Sequence, residues 1–297
     1  MSSAFPEVRA VINALTLKVQ SSCLEMNAQE LGNALFGLQS MTSDHSEVRR
    51  LMGAVTQKVS SSKHDLTSQE IGNAIFGLQG MRSEVFETRL LVRQLAFKIQ
   101  QSQSLVDPQG IANALFGLQG MSSECEEVRG LVGALAVKVE QSWKLLSAQN
   151  LAHALFGLQG LSAAEPEVRA LLHALAPKVV ACRDEMSAKE LCIALHGLQH
   201  MSSEFEEVRG LVSVLAEKVS LCTESMLVPS LGDALFGLQG LDSSVEEVAL
   251  LVGAIANNLN NIPSSAADAS LPSPTPTPAE PIDMESLGNA VYGLQVR

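Results

Sequence analysis

Apolar residues along the chain fall into two alternating stripes at helical spacing, separated by short polar stretches. Leu31, Ala34, Leu35, Leu38 and Met41 mark one stripe, and Val128, Leu131, Val132, Leu135 and Val139 the other; steps of three and four keep each set on one helical face. The period-two alternation of a half-buried strand is absent. The first helix of each pair, A, is predicted to open at a side chain that can accept a bond from an orphan amide: Asn27, Thr67, Asp107, Ser147, Ser187 and Asp283. Thr67 with Glu70, and Ser187 with Glu190, form capping-box patterns, and Pro108 suits the first helical position. Gly80, Gly120, Gly160 and Gly240 are expected as C-terminal caps. The second helix, B, is expected to start near Ser123 or Ser203, with acids such as Glu124, Glu126 and Glu127 at its positive dipole end.

The pair of helices recurs. Phe-Gly-Leu-Gln begins at Phe36, Phe76, Phe116, Phe156 and Phe236, with His196 in the same phase, and every step is 40 residues. A seventh copy, Tyr292-Gly293-Leu294-Gln295, arrives 16 residues late. Neither helix can bury its stripe alone, so successive hairpins must stack, and the predicted fold is all-α: an α-solenoid of two-helix repeats. The array is expected over residues 1–261, as a half repeat plus six copies. A disordered Pro/Ser/Thr-rich loop is expected over 262–282, around Pro272–Pro278, and the first helix of a seventh, truncated repeat over 283–297. The chain opens in the phase of a B helix (Glu7-Val8-Arg9 matches Glu47-Val48-Arg49) and no polar capping helix is visible, so a segment of a longer array is expected.

Opposite the buried stripe of helix A lie Gln29, Gly32, Asn33, Phe36 and Ser40. The same row continues as Gln69, Asn73 and Phe76, then Gln109, Asn113 and Phe116, then Gln149, His153 and Phe156, and ends near Asp233 and Phe236. Six of the eleven aromatics share this phase, counting Tyr292. Two readings are open. Aromatics flanked by amides make a base-stacking platform with hydrogen-bonding neighbours; alternatively each ring wedges between consecutive A helices, a reading that the small residues Gly32 and Gly37 suit. Gln39, Gln79, Gln119, Gln159, Gln199, Gln239 and Gln295 never change, which fits an amide ladder or caps for the neighbouring turn. The phase that does vary is Asn33, Asn73, Asn113, His153, Ile193, Asp233, Asn289, and selectivity for a ligand is expected there.

Charge narrows the choice. Lys and Arg total 20 against 32 Asp and Glu, a formal net charge of −12, which argues against indiscriminate phosphate binding. Arg9, Arg49, Arg89, Arg129, Arg169 and Arg209 share one phase of helix B, and Lys18, Lys58, Lys98, Lys138, Lys178 and Lys218 another. Glu47 and its equivalents Glu87, Glu127, Glu167, Glu207 and Glu247 flank the side opposite Arg49, so an inter-repeat ion ladder is expected; the Lys row could instead face phosphate. Lys189 is the one Lys or Arg in the A helices. Cys23, Cys125, Cys182, Cys192 and Cys222 are odd in number and irregularly spaced, as expected of reduced thiols in a reducing compartment.

No apolar run is long enough to span a bilayer and no secretory signal precedes the array, so no membrane partner is expected. No phosphate-cradling loop, nucleophile elbow or paired catalytic motif occurs, so no enzyme activity, cofactor or small-molecule substrate is expected. Cys192, His196 and His200, at i, i+4 and i+8, could share a metal, but other repeats carry unrelated residues at these phases and no metal site is expected. His45, His64 and His173 read as solvated surface residues.

The stretch Asp107-Pro108-Gln109-Gly110-Ile111-Ala112-Asn113-Ala114-Leu115-Phe116-Gly117-Leu118 resembles the octotricopeptide repeat, whose motif runs roughly Pro-Gln-x-Leu-(Ser/Ala)-Asn-x-Leu-Trp-Ala-Leu. The likeness extends to Gln29, Leu31, Asn33, Leu35, Phe36 and Leu38 and their equivalents. This chain departs from it in its 40-residue period, in Phe for Trp, and in its acidity. That family consists of paired-helix solenoids that bind RNA in organelles, so the resemblance implies an RNA-facing Asn33 row and a place in a chloroplast or mitochondrion; no targeting peptide is visible, and the compartment is otherwise the cytoplasm. The expectation is a non-catalytic array binding single-stranded RNA. The alternative is a protein-interaction scaffold with its partner on a concave face.

Overall fold

The computed structural model describes residues 2–226 and 228–260, without the side chains of 228–230 and 260. The Pro-rich segment and the seventh repeat, with Asp283, Asn289, Tyr292 and Gln295, lie outside the described residues.

Among the described residues there are thirteen helices and no strand. The B helices are α1 (Pro6–Ser21), α3 (Ser46–Ser61), α5 (Phe86–Gln101), α7 (Glu126–Gln141), α9 (Pro166–Ala181), α11 (Glu206–Leu221) and α13 (Glu246–Asn260). The A helices are α2 (Ala28–Phe36), α4 (Ser68–Phe76), α6 (Pro108–Phe116), α8 (Ala148–Phe156), α10 (Ala188–His196) and α12 (Val228–Gly237). Each helix packs on its equivalents in the repeats before and after, giving one A layer and one B layer. The fold is an α-solenoid of helical hairpins.

Local chemistry sets the A helices as expected at their starts. Asn27, Asp107, Ser147 and Ser187 accept from the backbone amide three residues on, and capping boxes close at Asn27–Glu30, Thr67–Glu70 and Ser187–Glu190. Their ends differ from the sequence expectation. The A helices through α10 stop at the Phe36 phase, a tight turn follows, and no residue among those described has a positive φ. Gly80, Gly120, Gly160 and Gly240 are therefore not left-handed caps. At these four positions a Cβ would sit 2.1–2.6 Å from the carbonyl oxygen of Met41, Met81, Met121 or Met201 in the preceding repeat, whereas His200 occupies the same phase with its ring against the Gln159 carbonyl. The Gly37 phase is tighter: a Cβ on Gly157 would lie 1.9 Å from the Leu115 oxygen and one on Gly117 2.1 Å from the Ile75 oxygen.

The B helices begin later than expected. Helix α7 starts at Glu126 and α11 at Glu206, because Ser123 and Ser203 belong to the preceding turn. Their hydroxyls serve the next repeat: Ser123 accepts from the Ser162 amide and Ser203 from the Asp242 amide, both at 2.9 Å. Ser3, Ser43 and Ser83 do the same for Thr42, Arg82 and Ser122. Between the layers a continuous apolar core runs the length of the array through Leu31, Leu35, Ile71, Leu115, Leu155, Leu195 on the A side and Val48, Leu91, Leu131, Leu171, Leu211 on the B side.

Candidate functional site

The outward face of the A layer carries the residues singled out by the sequence. Phe36, Phe76, Phe116, Phe156, His196 and Phe236 form one unbroken ring ladder, with centroids 5.5–6.1 Å apart and planes tilted 20–24°. His153 adds a tilted contact to Phe116 at 5.3 Å. Offset stacks at these distances satisfy the rings with each other. Phe76, Phe116 and Phe156 each have a ring neighbour on both sides, so a base cannot enter between them. The rings pack against one another, and each remains half-buried at the surface.

Beside the ladder runs a polar strip. Gln29, Asn33, Gln69, Gln109, Gln149 and Asp233 are exposed, and Asn73, Asn113 and His153 are half-buried. Gln109 donates to the Asn113 side chain at 2.8 Å, one helical turn away. Gly32, placed with this row by its phase, is buried against Glu70 of the next A helix. The invariant glutamines from Gln39 to Gln239 lie half-buried further along, and Gln119 donates to Gln79 and Gln199 to Gln159, each at 3.4 Å, so part of the expected amide ladder forms.

The cations of helix B do not reach this face. Lys58 donates to the Ser22 and Leu24 carbonyls, Lys98 to Ser62 and His64, and Lys138 to Ser102 and Ser104. Lys178 and Lys218 donate to the Ser142 and Cys182 carbonyls. Each ammonium thus caps the C-terminus of the preceding B helix, where cations suit the dipole. Burial holds the Lys138 pKa below its ordinary value. These bonds hold the five ammonium groups at helix ends, with Lys98 and Lys138 buried and Lys58, Lys178 and Lys218 half-buried, which weighs against the Lys row as a phosphate-facing surface. In the last B helix, Asn258 takes over the same task, donating to the Cys222 and Glu224 carbonyls. Sequence reasoning missed this device; the readable signal was the Lys repeating next to a run of serines at helix ends.

The arginines have two roles. Each Nη1 from Arg9 to Arg209 donates to two carbonyls of its own preceding turn, as Arg49 does to Ser43 and Asp44. An inter-repeat ion ladder forms in part, with the Arg of one repeat meeting the Glu of the next rather than the reverse order expected: Arg169 meets Glu207 and Arg209 meets Glu247, both at 3.9 Å, while Arg129 meets Glu165 at 3.6 Å and Glu127 is paired with Arg93 at 2.8 Å.

Among the described residues no cluster of His, Cys, Asp or Glu is arranged to hold a metal. His196 Nδ1 faces the Asp233 carbonyl at 3.2 Å and His200 Nδ1 the Gln159 carbonyl at 2.6 Å, while Cys192 is buried. Burial first, then the charges of Asp233 and Cys222, push the Cys192 thiol up to about 12. No disulfide joins the five cysteines, all of which are free. No helix among the described residues is long and apolar enough to cross a membrane. No protein-family model and no curated protein matches the chain.

Proposed function

We propose that the protein is a non-catalytic binding array that takes single-stranded RNA along the outward face of its A layer. The observation that carries this reading is the strip of amide side chains, Gln29, Asn33, Gln69, Asn73, Gln109 and Asn113, repeating beside the ring ladder and almost free of charge. Amides both donate and accept, which matches the mixed edges of unpaired bases. Variation at the Asn33 phase, through His153, Ile193 and Asp233, supplies the differences between repeats that selective reading needs. The resemblance to octotricopeptide repeats supports the same reading and implies a place in organellar RNA metabolism.

With Lys58 to Lys218 engaged at carbonyls, affinity must come from base edges more than from phosphates. Binding of a randomised RNA pool, read by fluorescence anisotropy, should therefore weaken only gently with salt. At roughly 0.7 in log–log slope per phosphate neutralised on a single strand, a slope magnitude below about 2 is expected. Asn33→Ala with Asn73→Ala and Asn113→Ala should abolish binding while the helical spectrum stays unchanged. Binding that survives the triple substitution would overturn the reading.

The engaged cations favour a second reading, an extended peptide whose backbone amides pair with the same side chains. Failure of every RNA to bind at low salt, with recovery of a peptide partner lost in the triple variant, would put that reading first.

A further inference from the structure

The A face is hollowed beside His196. Between α8, α10 and α12 lies a hollow of about 370 Å3, within the range of roughly 300–1,000 Å3 over which pockets take small ligands. Its apolar part is made by Phe156 and by Ile193, which stands where three earlier repeats have Asn. His196 replaces the ladder Phe yet keeps the stack, 5.5 Å from Phe156, and its Nδ1 lies against the Asp233 carbonyl. Lys189, the one Lys or Arg in the A helices, and the exposed Asp233 line the same hollow. No ion pair among those described joins them.

We propose that this hollow is the subsite of the array that selects a guanosine monophosphate unit, with Asp233 accepting from the donors of the base edge and Lys189 donating to the phosphate. The inference rests on the RNA reading above. A carboxylate only accepts hydrogen bonds, so it needs a ligand edge made of donors. Guanine offers two adjacent ones, N1–H and the N2 amine, to match two carboxylate oxygens. Adenine and uracil offer a donor beside an acceptor, and cytosine a single amine. A carboxylate on a phosphate-binding face would otherwise repel its ligand; here the neighbouring ammonium of Lys189 offsets that charge at the same hollow.

The test uses labelled twelve-residue oligouridylates carrying one central G, A or C, with anisotropy as readout on the full chain. Discrimination by a good bidentate pair predicts about tenfold tighter binding of the G oligomer than the A oligomer. Asp233→Asn should erase that preference, weakening the G oligomer and tightening the A oligomer, whose donor–acceptor edge an amide matches. Lys189→Ala should weaken all three and lower the salt slope by roughly 0.7, one phosphate contact. Both side chains are exposed, so both variants should keep the parent's circular dichroism. Equal affinity for G and A oligomers, or a preference that survives Asp233→Asn, would overturn the inference while leaving the RNA reading intact. If no oligomer binds, the RNA reading fails. Titration with guanosine and adenosine monophosphates then decides the subsite through the NMR signal of the His196 ring: a shift with the first alone supports it, and no shift overturns it too.

Discussion

Replacing Gly157 by Ala adds one methyl group where the end of α8 meets the end of α6. The added Cβ would stand 1.9 Å from the Leu115 oxygen, 2.4 Å from the Leu115 carbonyl carbon and 2.9 Å from the Phe116 nitrogen. The obstacle is backbone, with no side-chain end that could swing away. Gly157 has φ −65° and ψ −11°, which any residue adopts, so the whole effect is steric. Opening the contact to at least 3.0 Å separates α8 from α6 and loosens the Phe116–Phe156 stack at 5.5 Å. Overpacking costs about 1–3 kcal/mol and a lost aromatic pair about 0.5–1.5 kcal/mol, so destabilisation of about 3 kcal/mol is expected. Gly130, inside α7, is the matched control. A Cβ there meets nothing within 4 Å, so Gly130→Ala should stabilise by about 0.5–1 kcal/mol through helix propensity alone. Urea titration followed by circular dichroism at 222 nm measures both. Because repeat arrays can unfold in parts, a split transition in Gly157→Ala, with repeats on either side of the α6–α8 contact melting separately, is also consistent. Gly157→Ala within error of the parent, or both variants shifting in the same direction, would refute the packing described here.

Other consequences follow from the same contacts. Arg169→Ala removes two 2.8 Å bonds to the Ala163 and Ala164 carbonyls and a ring contact with Phe205 at 4.9 Å. It should cost about 1–2 kcal/mol in urea titration, whereas Glu207→Gln, which touches only a 3.9 Å half-exposed pair, should stay within about 0.5 kcal/mol. Cys192, raised from 9.0 to about 12, is protonated in the fold at pH values where the unfolded thiol has ionised. The native chain then holds more protons than the unfolded one above pH 9, so Cys192 contributes stability below pH 9 that is lost as pH rises towards 12. Thermal melts between pH 8 and 10.5 should fall less steeply in Cys192→Ala, a residue the array already has at Ala112 and Ala152; parallel curves would contradict this. At pH 8, iodoacetamide should label the exposed Cys23 quickly and buried Cys192 only after unfolding, as read by peptide mass mapping.

The period, the two helices per repeat, both apolar stripes and the N-terminal caps of the A helices could all be read from the sequence, because each depends on spacing or on a neighbour three residues away. What escaped depends on the repeat before or after. The Gly80 phase looked like a local cap when it serves a carbonyl 39 residues earlier, and Ser123 looked like a helix start when it binds the amide of Ser162. Lys58 and its equivalents looked like surface charge when their ammonium groups close the previous helix. The ring row was placed correctly along one face, but whether it stacked on itself or stood open could not follow from one helix considered alone.

The claim that ligand lies along the A face is tested most directly by photo-crosslinking the full chain to a 4-thiouridine-substituted RNA pool and mapping the adducts by mass spectrometry. Adducts are predicted in α2, α4, α6 and α8, on and beside Phe36, Phe76, Phe116 and Phe156, in order along the strip. Trp143 and Phe97 are exposed outside the A helices and react at least as readily. Adducts concentrated on them, with the A helices unmodified, would contradict the account.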